Sequence, residues 1–288
     1  MQVPASFQYR KASSIDEALM LLARYGSESR VLAGGHSLLP MMKLRLAHPD
    51  ALIDINECTE IADIRVDEAG IGIGAMARHA DLLASTAVGA RFPILHDAER
   101  RIADPIVRNR GTVGGSLCQA DPSEDLSAAF AALRAELVVR GQDGERMIPV
   151  REFFVGPYQT ALADGEILLE IRLPEHARNS AYLKVDRKVG DWAIAAAGAV
   201  LDVVDGVIAE VGIGLTAVGA SGFVAEEAED FLRGGPPTDE RFAKAGRIAA
   251  EHCAPIADQR GPVEFKRHLA GELVTRALRG AAQLGQVG

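Results

Sequence analysis

Along the first sixty residues the apolar positions change period more than once. Residues 6–10 suit a strand, and Ser14 with Glu17 then matches a capping box. Ile15, Leu19 and Leu22 fall on one side of a helix that Gly26 closes. Residues 30–33 and 51–54 read as short strands on either side of 38–46, a strand, helix, strand unit. Residues 61–66 and 70–75 alternate as strands. Residues 81–84 and 92–102 have helical spacing, and another helix is expected over 123–133. The runs 136–140 and 146–150 flank Gln142-Asp143-Gly144 and predict a hairpin turning at Asp143-Gly144. Residues 166–173 supply one more strand, ended by Pro174.

From residue 181 the pattern simplifies. Three long strands are expected over 181–188, 193–204 and 207–217, the last two joined at Asp205-Gly206, which makes an antiparallel meander. Helices follow over 225–232, 239–252 and 263–282, with Gly234-Gly235-Pro236-Pro237 breaking between the first two. The change of pattern puts a domain boundary near residues 174–179.

At 288 residues and 48% hydrophobic content the chain can bury two or three modest cores. A net charge of -9 without a block of basic residues argues against a nucleic-acid partner, whose phosphates need a positive face. No segment has the length and apolarity of a membrane span and the N-terminus does not read as a signal peptide, so a cytoplasmic protein is expected. Cys58, Cys118 and Cys253 are widely spaced, which suits reduced thiols rather than a disulfide framework. The seven histidines lack the one-turn spacing of a zinc helix, and no metal site is expected.

Candidate chemistry concentrates in two glycine-rich stretches. In Gly111-Thr112-Val113-Gly114-Gly115-Ser116 the glycines remove side chains where backbone must turn or meet a ligand, and two hydroxyls stand beside them. Pro122-Ser123-Glu124-Asp125 follows as a helix start, and a turn beside a helix N-terminus can cradle phosphate. A plain turn before a capped helix has the same composition. Ala33-Gly34-Gly35-His36-Ser37 repeats the arrangement after a short strand, so the two turns can flank one diphosphate. Gly70-Ile-Gly-Ile-Gly-Ala75 and Gly212-Ile-Gly-Leu-Thr-Ala217 also fit a dinucleotide glycine pattern. Their glycines alternate with apolar residues inside expected strands, so close sheet packing explains them. Arg100, Arg101, Arg108 and Arg110 form the densest positive cluster, either a solvated surface or a face for an anion or a subunit.

Ala33 to Ser37, Thr112 to Ser116 and Ala120-Asp-Pro-Ser-Glu-Asp125, in this order and separation, resemble the FAD-binding medium subunit of molybdenum hydroxylases, a family that includes carbon monoxide and xanthine dehydrogenases. The resemblance runs nearly end to end, from Phe7 to the segment Glu264 to Gly271. It implies an α+β chain: a two-lobed FAD-binding domain of the vanillyl-alcohol-oxidase or PCMH type over 1–176, with lobes of about 1–56 and 57–176. A C-terminal domain over 177–288 carries a three-stranded antiparallel sheet plus helices. It also implies an electron-transfer subunit that passes electrons from [2Fe-2S] clusters to an external acceptor. The molybdenum cofactor and the clusters reside on a large molybdopterin subunit and a small iron-sulfur subunit, in a dimer of heterotrimers.

The same resemblance assigns the site. The backbone amides of Ala33, Gly34, Gly35, His36 and Ser37, and of Thr112, Val113, Gly114, Gly115 and Ser116, are expected to hold the FAD diphosphate, and Asp125 to accept a ligand hydroxyl. Ile102 and Leu168 are placed near the flavin, and Lys184 beside the pyrimidine side of its ring, where a cation favours the reduced form. Trp192, the single tryptophan, is expected to cover or gate the ring, although core packing also suits an aromatic there. Flavoproteins of a related fold use a histidine in a Gly-Gly-His context as a covalent flavin anchor, but the family resembled binds FAD non-covalently, which is the expectation at His36. The rival readings are a stand-alone FAD oxidoreductase of the same fold and a cofactor-free scaffold subunit.

Overall fold

The computed structural model describes residues 3–67, 70–174, 177, 179–220 and 222–284. The expected domain boundary at 174–179 falls largely outside the described residues. The first unit is β1 (Gln8–Lys11), α1 (Ile15–Tyr25), β2 (Ser29–Leu32), α2 (Leu38–Lys43) and β3 (Ala51–Asp54). All three strands are parallel, with β3 in the centre and buried along its length. Ser14 caps α1 by accepting from Glu17 N at 3.2 Å, but the Glu17 carboxylate returns to Ser13 N (2.8 Å) rather than to Ser14. The box is displaced by one residue.

The second unit is a five-stranded antiparallel sheet under a layer of short helices. Its elements are β4 (Ile64–Asp67), β5 (Gly70–Gly74), α3 (His79–Ala84), α4 (Thr86–Arg91), α5 (Pro93–Glu99), α6 (Pro105–Arg108), α7 (Val113–Gln119), α8 (Leu126–Ala132), β6 (Glu136–Gly141), β7 (Gly144–Pro149), α9 (Val150–Phe153), β8 (Phe154–Gly156), β9 (Gln159–Thr160) and β10 (Ile167–Leu173). The sheet runs β4-β5-β10-β6-β7, while β8 and β9 pair by themselves. Several helices absent from the sequence reading, α4, α6, α7 and α9, span four to seven residues, too few for a period to show. The helix expected from residue 123 starts at Leu126, because 121–125 form a turn. The β6/β7 hairpin turns at Gln142-Asp143, one residue earlier than expected, since Gly141 pairs with Gly144. Gly144 has φ +118, which only glycine takes readily.

The third unit is an antiparallel sheet of β11 (Ser180–Val185), β12 (Ala195–Val204), β13 (Val207–Thr216) and β14 (Phe223–Val224), backed by α10 (Glu226–Leu232), α11 (Asp239–His252) and α12 (Val263–Leu284). Four strands replace the expected three; the added strand has two residues. Asp205 (φ 51) and Gly206 (φ 78) both take positive φ, as a two-residue turn between twisted strands requires. The β13 face lies directly on α8: a Cβ at Gly212 would approach the Ala132 carbonyl carbon to 2.8 Å, and one at Gly214 the Ala128 carbonyl carbon to 2.8 Å. That contact accounts for the second glycine pattern as packing. The first pattern lies in β5, where a Cβ at Gly74 would strike the Ile61 backbone.

One core runs through the first two units, from Ile15 and Ile53 to Phe130 and Ile171, and takes in Tyr182 and Ala196 from the third; a separate core fills the C-terminal unit. A buried ionic cluster fastens the two. Glu229, at the start of α10, accepts from Arg151 Nη2 (2.6 Å), Arg134 Nη2 (2.9 Å) and Ile213 N (2.7 Å). A carboxylate so enclosed is stabilising only while its partners remain. Glu229→Ala is expected to lower unfolding stability by about 2 kcal/mol, because the buried Ile213 N–H and the largely enclosed Arg151 lose their acceptor. Urea unfolding measures it, and a variant as stable as the parent would show that the cluster does not couple the units.

Candidate functional site

A cavity of about 1090 Å³ lies between the first two units and is closed on one side by the third. Its size is at the upper end of the roughly 300–1000 Å³ of small-molecule pockets, which suits a long ligand. Of the predicted site residues, Ala33, Gly34, Gly35, His36, Ser37, Ile102, Thr112, Gly114, Gly115, Ser116, Asp125, Leu168, Lys184 and Trp192 all line it. Val113 does not. Its side chain is fully buried in the core and its N–H donates to Ala77 O at 2.9 Å, because it is the first residue of α7 and faces the sheet.

The two glycine turns touch, yet they differ in what they offer. Gly34 lies so close to the Arg110-Gly111 backbone that a Cβ would come within 2.7 Å of Gly111 Cα. Gly35 has φ +83, and the chain turns there into α2. The N–H groups of Ala33, Gly34, Gly35, His36, Ser37 and Leu38 have no acceptor among the described residues, and all six residues line the cavity. In the second turn most amides are engaged inside the protein. Val113 and Gly114 donate to Ala77 O and Ala75 O, Gly115 to Thr112 Oγ1 (3.2 Å), and Ser116 to Thr112 O (3.0 Å). Thr112, which also lines the cavity, is the member of the second turn whose N–H has no acceptor among the described residues. Here the glycines of the second turn serve packing: a Cβ at Gly114 would meet Ala75 Cα at 2.8 Å.

The third unit contributes β11 and the loop that follows to the cavity lining. Lys184 Nζ donates to Asp125 Oδ2 (2.8 Å) and to Arg101 O (3.1 Å), and Tyr182 OH donates to Asp125 Oδ1 (2.7 Å). Burial pushes the Asp125 carboxyl up against the pull of Lys184 and Tyr182. Two of the three ammonium donors of Lys184 are used within the protein, leaving one for a ligand. Asp125 lines the cavity, as the ligand contact expected of it requires, and also anchors Lys184. Leu168 sits beside a bulge in β10, between Leu168 and Glu170. Gly190 (φ +77) rests on the Ala103 carbonyl, which fixes the loop carrying Asp191 and Trp192 against the 102–103 turn. Arg108 Nη1 holds that turn from beneath through Ile102 O (2.7 Å), so one member of the arginine cluster is structural.

Three groups escaped the sequence reading. Tyr182 had a visible signal, since it lies two residues before Lys184 and so on the same strand face. Glu124 lies in the motif beside Asp125; its carboxyl accepts from Ser116 Oγ (2.9 Å) and from the first N–H groups of α8, Leu126 N (3.0 Å) and Ser127 N. His79 and Glu99 form a buried pair with Nδ1 and Oε1 3.0 Å apart, and His79 lines the cavity. Burial opposes charge on His79, but Glu99 outweighs it and lifts its pKa. No spacing in the sequence marks this pair.

Residues 5–176 match the family described as the FAD binding domain in molybdopterin dehydrogenase, and residues 180–281 the CO dehydrogenase flavoprotein C-terminal domain. The chain belongs to this flavoprotein family. It is an oxidoreductase subunit carrying the family's FAD-binding domain. It is 41% identical to the carbon monoxide dehydrogenase medium chain of Hydrogenophaga pseudoflava, covering 97% of this chain and 98% of the relative. It is 33% identical to the 6-hydroxypseudooxynicotine dehydrogenase complex subunit alpha of Paenarthrobacter nicotinovorans, covering 96% and 94%. A solved structure of carbon monoxide dehydrogenase from Hydrogenophaga pseudoflava superimposes with a TM-score of 0.95 at 43% identity, covering 98% of this chain and 99% of the other.

The residues present fit the flavoprotein family's dinucleotide. Six amides with no acceptor among the described residues suit a diphosphate, a positive-φ glycine lets backbone approach it, and a buried ammonium lines the same space. Lys184→Met is expected to cost roughly 3–5 kcal/mol, because Asp125 is left buried without its counter-charge. The pair Lys184→Met and Asp125→Asn should cost clearly less than the sum of the two single changes. Chemical unfolding of the three variants checks this, and additive losses would separate the two residues.

Proposed function

We propose that this chain is the FAD-holding electron-transfer subunit of a molybdenum hydroxylase, with a PCMH-type FAD-binding domain, working beside a molybdopterin subunit and an iron-sulfur subunit in a cytoplasmic dimer of heterotrimers. One observation carries the reading: the amides of residues 33–38, which have no acceptor among the described residues, and the Lys184–Asp125 pair line one cavity. FAD, when bound, supplies a redox centre able to exchange electrons singly or in pairs. The chain's own residues bind and orient it. The 33–38 turn donates to the diphosphate, Ile102 and Leu168 offer apolar contact to the ring, and Lys184 places its charge near the part that becomes anionic on reduction. Trp192, 44% exposed, sits at the mouth, where it shields the ring from water. His36 is exposed beside the phosphate-binding amides, which favours non-covalent attachment.

The mouth also suits a partner. The Gly190–Ala103 contact brings Val189 (95% exposed) near the turn that leads to Ile106 (73% exposed), with Trp192 alongside. Arg100, Arg101, Arg110, Arg187 and Lys188 are exposed in the same segments, a basic rim on a chain of net charge -9. An apolar centre with a charged rim is what protein interfaces use. Among the described residues, no helix is long and apolar enough to cross a membrane.

The isolated chain, loaded with FAD, should be reducible by dithionite yet show no flavin bleaching with carbon monoxide, purines or N-heterocycles. Co-expression with molybdenum and iron-sulfur subunits should restore anaerobic bleaching by the complex's substrate. Bleaching of the lone chain at a catalytic rate would favour the stand-alone oxidoreductase. A chain that takes up no FAD would favour the scaffold.

A further inference from the structure

Glu124 is almost fully enclosed yet lines the dinucleotide cavity together with Ser116. Its carbonyl is tied down by Thr216 Oγ1 (2.9 Å), so the residue cannot swing away. At its carboxyl, Oε1 accepts from Ser127 N, Oε2 accepts from Leu126 N (3.0 Å) and from Ser116 Oγ (2.9 Å), and the Ser127 hydroxyl adds a further hydrogen bond. A serine hydroxyl has one hydrogen. While that hydrogen is donated to an ionised Glu124, Ser116 presents only lone pairs to the cavity, and the carboxylate adds negative charge behind them. Both features oppose a phosphate.

Protonation changes one bond and spares the others. A proton on Oε2 lets Glu124 donate to Ser116 Oγ, while Ser127 N and Leu126 N keep their acceptors. The hydrogen of Ser116 is then released toward the cavity. We propose that Glu124 and Ser116 form a proton-linked phosphate contact: binding of the flavin dinucleotide draws one proton from solvent onto Glu124 Oε2 and turns Ser116 into a donor to the diphosphate. The inference rests on the FAD reading above and adds a contact to the second turn, whose amides are mostly engaged elsewhere.

The surroundings put this proton in reach near neutrality. Burial, with Asp125 as the adjoining negative group and against the hydrogen bonds from Ser127 and Ser116, pushes the Glu124 carboxyl up to about 7. The other groups facing it are Lys184 and Tyr182 of β11, both held by Asp125, and the His79–Glu99 pair of α3 and α5. Lys184 is committed to Asp125 at 2.8 Å and His79 to Glu99 at 3.0 Å, so neither neutralises Glu124 directly.

The test is titration of flavin-free full-length chain with FAD across the neutral pH range, following flavin fluorescence. Proton uptake is measured in parallel by calorimetry in buffers of different ionisation enthalpy. The parent should take up close to one proton per FAD on the alkaline side, where its affinity falls by about tenfold per pH unit. Glu124→Gln, which has no carboxyl to protonate, should bind FAD without the parent's pH slope across this range. Ser116→Ala should bind more weakly at low pH with a flattened profile, and riboflavin, which has no phosphate, should draw no proton. A parent that binds FAD without proton uptake, or a Glu124→Gln variant that keeps the parent's slope, overturns the proposal and leaves the FAD reading standing. No FAD binding at any pH overturns both. Should Glu124→Gln fail to fold, the parent's proton uptake with FAD against riboflavin decides the matter alone.

Discussion

The buried ion pair of Lys184 with Asp125 is the joint on which the site depends. It joins a strand of the C-terminal unit to the turn that precedes α8, and the Arg101 carbonyl adds the 101–103 turn to the same ammonium. An ion pair out of water gains little net stability, but it strongly penalises any arrangement in which one partner is missing. Position follows from that penalty: Tyr182, Lys184 and the loop ending in Trp192 can close the cavity in one way. Glu229 does the same at the far end of the shared face, where Arg134 and Arg151 hold α10 and β13. Between the two clusters Gly212 and Gly214 let β13 lie against α8 without side chains in between.

With the units held in register, the two glycine turns divide their work. The first offers amides with no acceptor among the described residues and turns through a positive-φ glycine into α2, whose first N–H groups no helix pairs internally. The second is the tight start of α7, where glycine allows contact with β5 and the first turn, and its capacity to bind lies in hydroxyls more than in backbone. Similar composition thus produces two devices, because one stretch precedes an exposed turn and the other is folded into the sheet.

Much of this was legible in the residues. Long strands and helices with a clear period, such as β12, β13 and α11, lie close to where the pattern puts them, and α11 starts at Asp239 behind the Thr238 cap. The two misleading glycine patterns were recognisable from their strand alternation. Short helices were not, because seven residues such as Val113–Gln119 show no repeat, and Gly114 and Gly115 read as turn when they occupy a helix's first turn. The cavity residues were legible through the family resemblance, but their partners were not. That Asp125 holds Lys184, or that Glu124 takes Ser116, depends on contacts 59 and 8 residues apart in the chain. His79 with Glu99 carries no pattern at all, since burial alone makes the pair matter.

On the proposed function, the first turn's amides rather than those of residues 113–116 receive the dinucleotide phosphates. Amide hydrogen exchange of the flavin-free chain, with and without FAD, tests it most directly. Residues 33–38 should exchange fast alone and become protected on FAD binding, while 113–116 should be slow in both states because their N–H groups are already bonded. Protection gained at 113–116 with none at 33–38 would contradict it.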